Sequence, residues 1–340
     1  MSDNGAANDD YNDTHRAFLQ ALLARQTITF PDAKPLLAAI QSAQTPNRPT
    51  LPEDISQEDF ENYVHTLNSQ VSPFDLEIRS TLHQQTKERI YALVNTTSDA
   101  LTQMATIHSA DEIAFVKRVL DGMFETYNTQ RAEVMAVTSM QALKLAKPSA
   151  GEERRRESTQ TQGQTQSANV GLTMAQAEKV LALMVEQAWF EFSDRGFYTL
   201  SPRALMELRG WLIETYNDQA QGEGSDAEED DGEHVKIKLC QACKEVVTMG
   251  QRCPNLTCNA RLHGHCVGNL FRAQGGREEC PACKHAWLDA PPVGEKAARQ
   301  GAQQRRTTAS SNTGGGASRG RRQTQSVAEE SDAESGANEE

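Results

Sequence analysis

All seven cysteines of this 340-residue chain fall between Cys240 and Cys283, and that confinement restricts the fold of the segment more than any other feature. The order is Cys240-x-x-Cys243, Cys253, Cys258, His263-x-x-Cys266 and Cys280-x-x-Cys283. Zinc takes four tetrahedral ligands from thiolate and imidazole, and a two-residue gap lets a short turn aim both ligands at one ion. Seven cysteines and His263 make eight ligands, enough to close two sites. In the stretch CNARLHGHC, His265 is the direct neighbour of Cys266, and the two converge on one ion only with strain. His263 is therefore expected at the metal and His265 is surplus. The thirteen residues between Cys266 and Cys280 suit an interleaved pairing. Cys240, Cys243, His263 and Cys266 would hold one ion, and Cys253, Cys258, Cys280 and Cys283 the other. A segment tied in this way has hardly any apolar core, should be unfolded without metal, and leaves no coordination position for a catalytic water.

Charge says little about partners. The formal net charge is −13, but residues 221–233 carry seven acidic side chains and residues 329–340 carry six, with no Lys or Arg in either stretch. Without those runs the acidic and basic residues balance. Such runs repel themselves and stay solvated. No stretch approaches the roughly 20 apolar residues of a bilayer span, and the polar start MSDNGAANDD has no signal-peptide character. A soluble, intracellular chain with no membrane partner is expected, and cysteines confined to one cluster then point to metal rather than disulfides.

Low-complexity segments mark the expected boundaries: a disordered start at 1–13, an insert at 148–168, an acidic linker at 219–236 and a disordered tail at 293–340. Within 14–97, Thr14 is expected to cap a helix bearing Phe18, Leu19, Leu22 and Leu23. Pro35 is expected to open a second helix, and Ser56 with Asp59 a third. The period then shifts to two at Phe74, Leu76 and Ile78, and the run from Arg89 to Val94 returns as a strand. Three helices and a two-stranded ribbon outline a winged helix.

A similar order recurs over 105–218. Ser109 and Glu112 form a capping box, a helix is expected around Val137 to Leu145, and Thr173 with Gln176 caps a helix of clear i, i+3, i+4 apolar spacing. A hairpin follows over 189–200, turning at Gly196, and Ser201-Pro202 starts a last helix through Leu205, Leu208, Leu212 and Tyr216. The fold class is mostly α with small β wings: tandem winged helices followed by a cross-braced, two-zinc RING-like domain over 237–292. The helix ahead of the second wing offers few donors to base edges, whereas the wing is rich in rings. Trp189, Phe190, Phe192, Phe197 and Tyr198 are therefore the rings expected at a protein interface, with about half of them expected to fill the core of their own domain instead.

On the cysteine pattern alone both RING and PHD fingers remain open. A PHD finger usually carries Trp two residues before the seventh ligand, where this chain has Glu278, while Cys280-Pro-Ala-Cys283 looks like a RING. The whole arrangement, with the ending CPACKHAW, the helix SMQALKLA and the hairpin at 189–200, resembles the non-SMC element 1 family, the RING-like subunit of the Smc five/six genome-maintenance complex. That resemblance implies a nuclear, chromosome-associated ubiquitin ligase subunit. Its winged helices would dock a MAGE-type winged-helix partner and help hold a kleisin subunit, and it would meet DNA through the complex. It would position a ubiquitin-charged conjugating enzyme without a nucleophile of its own. The RING docking groove maps onto Ala242, Phe271 and Pro281, with Lys284 in place of the usual Arg. Ala242 is small where Ile or Leu is usual, which removes roughly 1–2 kcal/mol of burial, so activity is expected to depend on the assembled partner.

Overall fold

The computed structural model describes residues 11–97, 107–148, 171–217 and 235–298. Most of the expected start, the insert, the acidic linker and nearly all of the tail lie outside the described residues.

The first winged helix begins with α1 (Asp13–Arg25). Asn12, not Thr14, is its cap, its side chain accepting from the Thr14 N–H at 3.0 Å. Thr14 is instead inside the helix, 5% exposed, where its hydroxyl accepts from Tyr63 at 3.0 Å. β1 (Thr27–Thr29) leads into α2 (Phe30–Gln44), capped by Thr29. Because Thr29 caps and Pro31 occupies the first turn, Pro35 lies inside α2 rather than at its start. α3 (Gln57–Val71) opens on the expected box of Ser56 and Asp59. β2 (Leu76–Leu82) and β3 (Arg89–Asn95) pair antiparallel with Ile78 opposite Leu93, and β1 adds on the far side of β3. Phe74 belongs to a short 3-10 turn rather than the strand and is 73% exposed. Phe60 centres the core, meeting the Phe18 ring edge-on at 6.0 Å and Tyr91 at 4.7 Å, geometries that ring quadrupoles favour.

The second winged helix has α4 (Ala110–Asp121), opened by Ser109 and Glu112 and prolonged as a π turn over Gly122–Thr126. Val137 starts strand β4 (Val137–Thr138), not a helix; Thr138 then caps α5 (Ser139–Lys144). α6 (Met174–Glu186) carries the expected box of Thr173 and Gln176. β5 (Phe190–Phe192) and β6 (Phe197–Leu200) form the hairpin, with Gly196 at φ +78°, a left-handed turn position that suits glycine. The sheet order is β4-β6-β5. The expected last helix is two, α7 (Pro202–Glu207) and α8 (Arg209–Asn217). Leu208 sits at their joint, 1% exposed, and the break keeps Leu205, Leu208, Leu212 and Tyr216 all in the core.

The last region contains β7 (Gly250–Arg252), β8 (Arg261–Leu262), α9 (Gly264–Ala273) and β9 (Pro292–Val293) in a sheet of order β8-β7-β9. A Cβ on Gly250 would lie 2.2 Å from the Leu262 carbonyl oxygen, so only glycine lets β7 and β8 approach so closely. The described chain runs past residue 292 to 298, and Val293 and Ala297 are buried. The molecule is thus mostly helical with three small sheets, in the order winged helix, winged helix and RING-like domain. Arg203 of α7 joins the two winged helices: its guanidinium lies 4.7 Å over the Trp189 ring and donates to Gln26 of the first. Among the described residues no helix is long and apolar enough to cross a membrane.

Candidate metal centre

Two knuckles of the same geometry frame the centre. In the first, Cys240 N–H donates to the Glu245 carbonyl at 2.8 Å and Lys244 N–H to the Cys240 carbonyl at 2.9 Å, with Lys244 at φ +65°. In the second, Cys280 N–H donates to His285 at 2.8 Å and Lys284 N–H to Cys280 at 3.0 Å, with Lys284 at φ +60°. These turns point each Cys pair the same way.

The ligand atoms gather as two quartets, Cys240 with Cys243, His263 and Cys266, and Cys253 with Cys258, Cys280 and Cys283, the atoms of each lying within 4.8 Å of one another. The quartets use alternating ligand pairs along the chain, which is the interleaved arrangement. Cys253 and Cys283 sulfurs are 3.5 Å apart and Cys258 and Cys280 sulfurs 3.7 Å. A tetrahedral zinc with Zn–S near 2.3 Å separates its sulfurs by about 3.8 Å, so the donor set and its spacing fit that ion.

The two histidines part company. His263 is 2% exposed; its Nε2 donates to the Val246 carbonyl at 3.1 Å, which turns Nδ1 toward Cys243 Sγ at 3.2 Å and Cys266 Sγ at 4.0 Å. A carbonyl on the far nitrogen fixes both ring orientation and tautomer. His265 stacks on His263 with ring centroids 5.0 Å apart, and its buried Nδ1 meets no hydrogen-bond partner. It joins neither quartet.

The residues mapped onto a docking groove do not all face outward. Ala242 and Lys284 are exposed and Pro281 is half-buried. Phe271 is 8% exposed and meets Trp287 edge-on at 6.2 Å, so it serves the core of the domain instead. Trp287 donates from Nε1 to Gln251 at 2.9 Å. Among the five rings expected at a protein interface, Trp189 and Phe190 are 6% and 2% exposed and fill the second winged helix. Phe192 is 50% exposed and packs on the half-buried Tyr198 at 4.6 Å, with Phe197 half-buried on the same strand as Tyr198.

The family model for the Nse1 non-SMC component of SMC5-6 complex matches residues 15–208. The chain belongs to the Nse1 family. A RING-like domain model matches residues 240–283, the span of both quartets. The human non-structural maintenance of chromosomes element 1 homolog is 24% identical over 275 residues, covering 81% of this chain and 84% of the human protein. The Xenopus laevis homolog is 23% identical over 293 residues, covering 86% and 89%. Among solved structures, a chain of an Nse1-Nse3-Nse4 complex superimposes with a TM-score of 0.58 at 22% identity, over 82% of this chain and 98% of that one, a likeness of fold.

This Nse1-family chain also contains residues around the centre that its sequence did not single out. Gln84, in the turn between β2 and β3, donates to the Val246 carbonyl at 2.9 Å, the same oxygen that receives His263. Its Oε1 accepts from the Thr248 and Met249 N–H groups at 3.0 and 2.7 Å. Glu133, fully buried, accepts from Lys238 Nζ at 2.5 Å and Arg261 Nε at 2.6 Å. Burial pushes the Glu133 carboxyl up, but Arg261 and Lys238 outweigh it and hold it below its ordinary value. Partners 105 and 128 residues apart leave no local signal.

Proposed function

We propose that this chain is a RING-type ubiquitin ligase subunit of a Smc five/six complex, acting on chromosomes in the nucleus in DNA repair and recombination. The observation that carries the reading is the cross-brace itself: two closed quartets within a RING-like span leave no open ligand position for hydrolytic metal chemistry, so the domain acts by holding others. Zinc, when bound, supplies rigidity. The exposed faces of both knuckles, with Ala242, Pro281 and Lys284, then present a surface to a conjugating enzyme and restrain its thioester-linked ubiquitin in a reactive pose. The cysteines, as metal ligands, carry no ubiquitin.

The fold likeness to a chain of an Nse1-Nse3-Nse4 complex supports a MAGE-type winged-helix partner and a kleisin subunit, with Phe192, Phe197 and Tyr198 as the outward rings of the second wing. DNA is met through the assembly. The small Ala242 and the inward Phe271 weaken the groove and favour a second reading, a scaffold whose zinc domain only steadies partner contacts. Ubiquitylation assays with the MAGE-type partner and a broad panel of conjugating enzymes separate the two. Chain formation that Pro281→Ala reduces severalfold, with two zincs retained, is the expected result, and no transfer with any enzyme of the panel leaves the scaffold.

A further inference from the structure

The second winged helix reaches into the RING-like domain through the buried Glu133. Glu133 lies between α4 and β4, and its carboxylate grips Arg261 through Nε at 2.6 Å and through the neighbouring Nη2. Arg261 stands between the ligands Cys258 and His263, which belong to different quartets. Its remaining nitrogen donates to the carbonyls of Cys258 at 2.8 Å and Ala260 at 2.7 Å. The same carboxylate holds Lys238, two residues ahead of Cys240, at 2.5 Å. The Glu133 carbonyl accepts from Gly294 N–H at 2.8 Å, beyond the last ligand. Arg252, next to Cys253, donates to the carbonyl of Gln130 in the same loop.

The charges do not balance. Lys238, Arg252 and Arg261 face the single carboxylate of Glu133, all 4% exposed or less, and Arg252 Nε is buried without an acceptor. A surplus of cations in a dry interior is costly unless opposite charge lies nearby. Thiolate centres loaded with a divalent ion keep net negative charge, and their ligands adjoin these cations in the chain.

We propose that Glu133 is a positioning residue for both metal centres, acting through Arg261, so that the second winged helix governs how firmly the RING-like domain keeps its ions. The inference rests on the zinc reading and is independent of ligase activity. Coupling of this kind is reciprocal: if the clamp retains metal, metal retains the clamp. An Arg–carboxylate fork is well suited to the task because its two parallel hydrogen bonds fix orientation as well as distance.

The test uses the full chain, with zinc counted first by elemental analysis. Fewer than two zincs per chain overturns the zinc reading before the clamp is reached. With two present, release into a chromophoric chelator is timed for wild type, Glu133→Gln and Arg261→Lys. Glu133→Gln is expected to release on the order of tenfold faster, as for other residues that orient metal ligands. Arg261→Lys, which keeps the charge but not the fork, is expected to fall between them. Phe60→Leu, in the core of the first winged helix, should lower thermal stability without changing release. Removal of zinc from wild type should in turn raise hydrogen exchange across residues 128–136, none of which is a ligand. Release from Glu133→Gln that is unchanged or slower, or exchange in that loop that ignores metal, overturns the proposal.

Discussion

His263 and His265 share a backbone stretch and nearly parallel rings, yet only His263 sits with a carbonyl behind it and sulfurs before it. His263→Ala is therefore expected to lose one of two zincs by elemental analysis, whereas His265→Ala should keep both. The count of eight donors leaves one imidazole surplus, and the spacing singles out His263, because His263-x-x-Cys266 repeats the two-residue knuckle while His265 adjoins Cys266. Burial of individual rings was less legible. Trp189 and Phe190 read like Phe192, Phe197 and Tyr198, since hydrophobicity is the same property in a core and at an interface. Only the packing of the second winged helix sorts them. Phe271, mapped onto the docking groove, is 8% exposed, and its sequence context carries no sign of that burial.

Helix starts were legible wherever the whole signal lies within four residues. The boxes at Ser56, Ser109 and Thr173 all form with their acid or amide partners. Thr173→Ala is expected to cost about 1 kcal/mol, seen as a lower melting temperature, with the fold of α6 retained because its apolar face is buried. Thr14 and Pro35 failed where a better cap, Asn12 or Thr29, stood just upstream. β1 and β4, at three and two residues, are too short to show a period of two. Both exist because a neighbouring strand offers its edge.

At the scale of the molecule, the three regions meet near the first quartet, around a cavity of about 240 Å³ lined in part by Glu191, Cys243 and His265. The tip of the first winged helix reaches this junction: His83 Nε2 lies 3.0 Å from the Glu191 carboxylate of the second wing. Glu191 raises the His83 pKa, burial opposes it, and Glu88 adds to the rise. A folded-state value above the unfolded one makes the contribution complete below the unfolded pKa of about 6.5 and lost as pH climbs through the folded value. The melting temperature of wild type should thus exceed that of His83→Ala at pH 6 by about 1–2 °C, the equivalent of roughly 1 kcal/mol in a chain of this size. The gap should narrow as pH rises through the folded value, leaving the contacts of the neutral ring, whose Nδ1 accepts from the Gln85 and Thr86 N–H groups. A gap independent of pH would mean that His83 contributes by packing alone.

The sequence by itself determined the two Cys/His quartets, the order of the three regions and most helix starts, because two-residue knuckles and helix caps are written in residues a few positions apart. Tertiary structure alone decided which rings are outward, where short strands pair, and how Glu133 and Gln84 hold the metal-ligand segments from other parts of the chain. Those contacts join residues more than a hundred positions apart, and a partner brought in by folding leaves no mark on the local pattern.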